Sequence, residues 1–104
     1  MAGLGKFLKQ AQKMQEQMQK VQEELAAREV EGSAGGGAVK AVARCDGSIA
    51  SIKIDPKVVD PNDVEMLEDL VLGAVVNALD VAKKTQTEEM NKVTAGMNLP
   101  GMGM

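Results

Sequence analysis

Side chains able to perform acid–base, nucleophilic or metal chemistry are scarce in this 104-residue sequence. It has no histidine and one cysteine, Cys45. The densest group of carboxylates lies between positions 60 and 69 and consists of Asp60, Asp63, Glu65, Glu68 and Asp69. Because the helix dipole favours acids at a helix start, this group is explained without a metal or a catalytic role. We therefore predict no enzyme, no metal site and no cofactor.

The glycine-rich segment 32–37 invites a second chemical reading, as a loop whose backbone amides bind phosphate. Its sequence is Gly32-Ser33-Ala34-Gly35-Gly36-Gly37. A P-loop needs a following Lys-Ser/Thr and then a helix, whereas the residues after Gly37 favour a β-strand. We predict a flexible connection between two strands instead.

Lysines provide the remaining chemical feature, because their distribution along the chain is uneven. Residues 1–28 carry five basic and three acidic side chains, a balance of +2, whereas residues 55–104 carry four basic and nine acidic side chains, a balance of −5. On a helical wheel, four lysines of the first segment fall within about 60° of one another. These are Lys6, Lys9, Lys13 and Lys20. Such a row is either a solvent-exposed face or a surface suited to the phosphates of nucleic acid.

A helix must position this lysine row. Apolar residues recur with alternating spacings of three and four residues, which predicts one long amphipathic helix from Leu4 to Leu25. They are Leu4, Phe7, Ala11, Met14, Met18, Val21 and Leu25. The lysine row lies almost opposite them. Because Phe7 is the only aromatic residue, the base stacking on which single-stranded nucleic-acid binding usually depends is missing.

A β-hairpin is predicted from Val39 to Asp55, after a short strand at 27–31. Asp46-Gly47 is typical of a two-residue type I′ turn, which sets the strand register. In that register Arg44 opposes Ile49. One face of the hairpin is then apolar and made mostly of small residues, suited to packing under a helix; it carries Val39, Ala41, Ala43, Cys45, Ala50, Ile52 and Ile54.

The same register places Lys40 opposite Lys53 on the other face. Like charges directly opposite one another are destabilising unless a negative group lies near. Glu29 and Glu31 on the preceding strand could supply it, and so could a phosphate backbone. We favour the two glutamates as the simpler explanation.

A second helix is predicted to run from Asp60, its N-cap, through Pro61 to at least Lys84. Between Leu70 and Ala82 only Asn77 and Asp80 are polar. A helix that is apolar around most of its circumference needs cover on two sides. The hairpin can cover one side and a second copy of the chain the other. The predicted homodimer interface consists of Leu70, Val71, Ala74, Val75, Ala78 and Leu79.

Several distinctive stretches of sequence accompany this order of elements. They are the Met- and Gln-rich first helix (8–25), the glycine-containing run 30–40, Ile52-Lys53-Ile54-Asp55-Pro56, Glu68-Asp69-Leu70, Ala78, Lys83-Lys84, Gly96-Met97 and Leu99-Pro100-Gly101. In combination they resemble the YbaB/EbfC family of nucleoid-associated proteins over essentially the whole chain.

The resemblance implies an α+β protomer of order α-β-β-β-α, with a three-stranded antiparallel sheet and two long helices. It further implies an intertwined, tweezer-like homodimer in the bacterial cytoplasm and nucleoid. Such a dimer binds double-stranded DNA, alters its conformation and influences gene expression. We expect one domain at 1–96 and a flexible tail at 97–104, and we expect no membrane association and no small-molecule substrate.

The resemblance provides no DNA-contact motif, so charge placement alone selects the candidate DNA-binding residues. They are Lys6, Lys9, Lys13 and Lys20 on the first helix and Lys83, Lys84 and Lys92 on the second. The net charge of −3 leaves an alternative open. In that alternative the chain is a protein-interaction adaptor for recombination or replication machinery and associates with DNA only indirectly.

Overall fold

A computed structural model describes the backbone of residues 2–96 and the side chains of residues 3–93. The elements are α1 (Ala2–Ala27), β1 (Glu29–Ala34), β2 (Val39–Arg44), β3 (Ile49–Ile54), a 3₁₀ turn (Pro56–Val58) and α2 (Val64–Gly96). The predicted α+β class and the order α-β-β-β-α are confirmed. The predicted tail at 97–104 lies outside the described residues.

The three strands form one antiparallel sheet in the order β1-β2-β3. Helix α2 lies across β1 and β2 and touches β3 only slightly. The core between them is built mainly from alanines and small side chains of β2 and α2, because small residues allow helix and sheet to approach closely. Its buried residues are Leu25, Val39, Ala41, Ala43, Cys45, Ala74, Ala78 and Ala82.

The first half of the glycine segment is strand, so the connection between the strands is shorter than predicted. Strand β1 continues to Ala34, and residues 35–38 form the turn, in which Gly35, Gly36 and Gly37 have positive φ. Gly32 pairs with Ala41 of β2 and lies directly beneath Ala78 of α2. Position 32 must be glycine because the backbone of α2 leaves no room for a side chain there.

The hairpin register is confirmed at Lys40↔Lys53, but the predicted pairing of Arg44 with Ile49 was wrong. Ile49 pairs with Ala43, and the register shifts between Val42 and Ala43. Gly47 has a φ of 94° and no other turn residue has a positive φ, so the turn is not type I′. The Gly47 amide donates to the Arg44 carbonyl at 3.0 Å, which gives a longer loop ending in a left-handed glycine.

The start of α2 also differs from the prediction. The residues from Asp60 to Asp63 form a turn, in which the Asp63 amide donates to the Asp60 carbonyl at 3.0 Å. The Asp63 carboxylate accepts from the Met66 amide at 3.2 Å, so Asp63, not Asp60, caps the helix that begins at Val64. The acids there do cap and flank a helix start, in agreement with the dipole explanation.

Candidate nucleic-acid interface

The four α1 lysines lie on a part of the helix that projects from the rest of the protomer. Among the described residues, the α1 side chains that pack against the core begin at Val21. All four lysines are exposed, and none of the ion pairs in the described part of the chain involves them. All four are therefore free to bind anions in solvent.

The three α2 lysines do not form a second row. Lys83 lies beside the hairpin turn with Leu79, whereas Lys92 donates to Glu89 at 3.3 Å. At about 100° per residue, Lys83, Lys84 and Lys92 are spread over roughly half the circumference of α2. Glu89 also accepts from Arg28 at 3.3 Å. Because this carboxylate is shared by two cations, it neutralises Lys92 only in part. The structure thus brings the α1 lysines together and keeps the α2 lysines apart.

A further pair of cations lies on the sheet face that points away from α2. Lys40 and Lys53 are direct cross-strand partners, and both are exposed. The neutralisation expected from Glu29 and Glu31 is absent: Ser33 opposes Lys40 on β1, and within the described chain no carboxylate lies at ion-pair distance from either lysine.

Glu29 instead opposes Arg44, at 3.9 Å from its guanidinium, and Glu31 opposes Val42. The two glutamates are thus displaced along β1 from the lysine pair, because residue 33 is the β1 partner of Lys40. This pair was not among the candidate DNA-binding residues, although the hairpin register predicted from Asp46-Gly47 already contained it.

The predicted interface residues of α2 divide into buried and accessible ones. Ala74 and Ala78 are fully buried between α2 and the sheet of their own protomer. They are therefore not available to a second copy. Leu70 is half-buried on the β1 side, where it contacts Gly35. Val71 and Val75 line a shallow groove on the opposite flank, and Leu79 follows them toward the hairpin turn.

Exposed apolar side chains of α2 and β3 lie beyond this flank, and those of β3 belong to the hairpin face that was expected to pack under a helix. Leu72 of α2 is 62% exposed, and Ile52 of β3 is 43% exposed although it is the cross-strand partner of buried Ala41. Ile54 is similarly exposed opposite buried Val39. Since α2 lies mainly over β1 and β2, the helix-facing side of β3 is only partly covered within the described chain.

Two titratable groups at the hairpin turn have shifted pKa values. The Ser48 hydroxyl and amide both donate to one Asp46 oxygen, at 2.6 and 2.9 Å, and these bonds lower the pKa of Asp46. Burial raises the pKa of the Cys45 thiol, which packs under α2. Among the described residues no group of three or more Cys, Asp and Glu is arranged to hold a metal ion. No helix in that part of the chain combines the length and apolar character needed to span a bilayer.

Known proteins resemble this chain in sequence and in fold. A sequence profile described as the YbaB/EbfC DNA-binding family matches residues 1–97. A nucleoid-associated protein of Clostridium novyi is 54% identical over 99 residues, covering 95% of this chain and 87% of its own length. One from Caldanaerobacter subterraneus is 52% identical over 99 residues, covering 95% and 89%. The crystal structure of an uncharacterised protein from Helicobacter pylori shares the fold, with a TM-score of 0.64 at 15% identity, covering 78% of this chain and 94% of that one.

Proposed function

The chain belongs to the YbaB/EbfC DNA-binding family, and we propose that it binds double-stranded DNA as a homodimer in the nucleoid, alters the conformation of the DNA and thereby influences gene expression. The family is a DNA-binding one and not a family of enzymes, in agreement with the scarcity of catalytic side chains. The relatives' description as nucleoid-associated proteins supports a cytoplasmic, nucleoid location.

One observation carries the DNA contact: the α1 lysine row is exposed and lacks carboxylate partners in a protein of net charge −3. Lysines that face solvent along a rod can follow a phosphate backbone, and they release counterions on binding. Lys6, Lys9, Lys13 and Lys20 are thus the primary contacts. Lys83, Lys84 and Lys92 are secondary ones, because they point in different directions from α2.

The homodimer is supported by the uncovered apolar surface formed by α2 and β3. We define the body face as the accessible residues Val71, Leu72, Val75, Ile52 and Ile54. Its α2 side chains line a groove together with Leu67 and one charged residue, Glu68. An isologous contact lets the same face of a second copy cover it. This face replaces buried Ala74 and Ala78 in the proposed interface.

Duplex binding is tested by fluorescence anisotropy on a labelled random-sequence duplex at two salt concentrations. We expect binding at low salt that weakens steeply as salt rises. Lys13→Glu should raise Kd about tenfold, because it places repulsion where phosphate contacts formed. Lys57→Glu is the matched control, with the same change of net charge on the 3₁₀ turn between Asp55 and Asp60, and should change Kd little. Absence of low-salt binding, or equal effects of the two reversals, contradicts the proposal.

The negative net charge favours a second candidate, the protein-interaction adaptor. It predicts association with recombination or replication proteins that persists after nuclease treatment and at high salt. A pull-down under those conditions distinguishes it from direct DNA binding, which both treatments remove.

A further inference from the structure

An uncovered apolar row runs along the part of α1 that projects from the protomer. We call residues 3–20 the free arm. The row consists of Leu4, Phe7, Ala11, Met14 and Met18, and exposed Leu8 lies beside it. Leu4 is 60% exposed and Phe7 64% exposed, which is unusual for side chains of this size. The same row continues into Val21, which packs against the core, and Leu25, which is buried. One end of the row is therefore covered by the protomer's own core and the other end is not.

The charges of the free arm are arranged so that two identical arms can approach. In a heptad assignment with Leu4 and Ala11 at position a, the positions that flank the row are e and g. Within the free arm all of them are uncharged: Gly3, Leu8, Gln10, Gln15 and Gln17. The lysines occupy positions c and f, on the far side of the helix. Two arms that meet row to row would therefore not bring their lysines together.

The shape of the row is self-complementary about Ala11. Ala11 is the small residue in its middle and opens a shallow groove, with Met14 and Met18 along its length. Leu4 and Met18 lie seven residues before and after Ala11. When two arms are placed antiparallel with Ala11 against Ala11, Leu4 of each arm meets Met18 of the other, and Phe7 meets the region of Met14. Ala11 against Ala11 then lets the two helices approach closely, and the larger Leu4–Met18 pairs lie on either side of this contact.

We propose that the free arm pairs antiparallel, row to row, with the free arm of a second copy of this chain. The antiparallel orientation leaves the two bodies at opposite ends of the paired arms, where they do not collide. The lysine rows remain on the outer sides and stay accessible to DNA. Since the free arm and the body face are separate surfaces, arm pairing joins body-face dimers into tetramers or longer assemblies. This inference goes beyond duplex binding and does not rest on it.

Disulfide trapping tests the pairing, because the chain's single cysteine can be removed by Cys45→Ala. In that background, Ala11→Cys should form about tenfold more disulfide-linked species on mild oxidation than Gln12→Cys, since only position 11 faces its copy. Leu4→Cys should link poorly, because antiparallel arms separate two copies of residue 4 by about 21 Å. Efficient linking at Leu4 overturns the antiparallel arrangement, and equal yields at positions 11 and 12 overturn the pairing itself.

Sedimentation equilibrium of the unmodified chain provides the second test. We expect a tetramer at high concentration, which Ala11→Glu halves in mass and Gln12→Glu leaves intact. If the wild type is a dimer and Ala11→Glu is a monomer, the result supports the arm pairing and contradicts the body-face dimer. If Ala11→Glu and Gln12→Glu have the same mass, the pairing is wrong. The proposed DNA binding is judged separately on Lys13→Glu, so each proposal can fail alone.

Two other occupants of the row are outcomes of the same experiments. Deleting residues 97–104, which carry three methionines and Leu99, should leave the linking yield at Ala11→Cys unchanged. A yield that appears only after this deletion shows that the chain's own end covers the row and overturns the proposal. The proposal is also overturned if a different protein binds at the row. In that case the wild type never exceeds a dimer and shows no linking at position 11.

Discussion

Gly32 of β1 lies so close beneath Ala78 of α2 that a Cβ added at position 32 would fall 2.6 Å from the Ala78 Cα and 2.7 Å from the Asn77 carbonyl carbon. These neighbours are helix backbone, which cannot rotate away as a flexible side chain could. The pair therefore sets the distance between α2 and the sheet, and it explains why Ala74 and Ala78 are completely buried.

Gly32→Ala should destabilise the protein by about 1–3 kcal/mol, because the added methyl group forces α2 away from β1. Urea denaturation followed by circular dichroism measures the effect. Gly5→Ala is the matched control, since apart from the adjoining backbone of its own helix nothing lies within 4 Å of a Cβ built there. The control should be neutral or slightly stabilising, as alanine favours helix. If Gly32→Ala is as stable as the wild type, α2 does not lie this close to β1.

Asn77 joins α2 to β1 by donating from its side-chain amide to the Ser33 carbonyl at 2.8 Å. Asn77→Ala should cost about 0.5–1.5 kcal/mol, the usual net contribution of one hydrogen bond. Asn77→Asp should cost more at neutral pH, because a carboxylate cannot donate and would repel the carbonyl. Urea titrations of both variants at neutral and acidic pH measure this difference. The aspartate variant should recover relative to the alanine variant once its carboxyl is protonated; no such recovery would contradict the role of the bond.

The body face predicts a specific loss of dimerisation. Leu72→Asp places a charge in the centre of the proposed contact and should shift the chain from the body-face dimer toward its half-mass species in sedimentation velocity. Val81→Asp is the control: Val81 is 41% exposed and lies about 180° from Leu72 around α2. If both variants dissociate alike, or neither does, the interface lies elsewhere.

Cys45 should make stability depend on alkaline pH. Burial raises the pKa of its thiol, an effect to which Asp46 and Glu89 add and which Arg28 opposes. The folded protein thus favours the protonated thiol, and this contribution is complete below the unfolded thiol's pKa of about 8.5 and is lost as pH rises above it. Urea titrations across this range should show a decline in wild type that is smaller in Cys45→Ala. Parallel pH profiles of the two proteins would contradict the assignment.

The sequence predicted the order of elements, the α1 periodicity and the Lys40–Lys53 pairing, because each follows from local pattern. The hairpin turn was misjudged because Asp-Gly suits both the type I′ turn and the longer loop found here, and these differ by one residue of register near Ala43. That one-residue difference produced the wrong partner for Ile49.

The wheel of α2 could not show which apolar side meets the sheet and which remains exposed. Almost every position from 70 to 82 is apolar, so periodicity carries little information there. The choice is made by Gly32, whose missing side chain admits the Ala74–Ala78 side of the helix. In contrast, the spread of Lys83, Lys84 and Lys92 around α2 was readable from their spacing, and it is the α1 row that remains the compact candidate site.

The free arm also gives the protomer a gradient of local stability. Helix α1 has no acidic residue in its first turn and little tertiary support before Val21, so its backbone hydrogen bonds open at small free-energy cost. Amide protons near Phe7 should exchange with deuterated solvent orders of magnitude faster than those of Ala41. When a ligand orders this part of α1, the loss of conformational freedom opposes binding. Its association should therefore show an unfavourable conformational entropy.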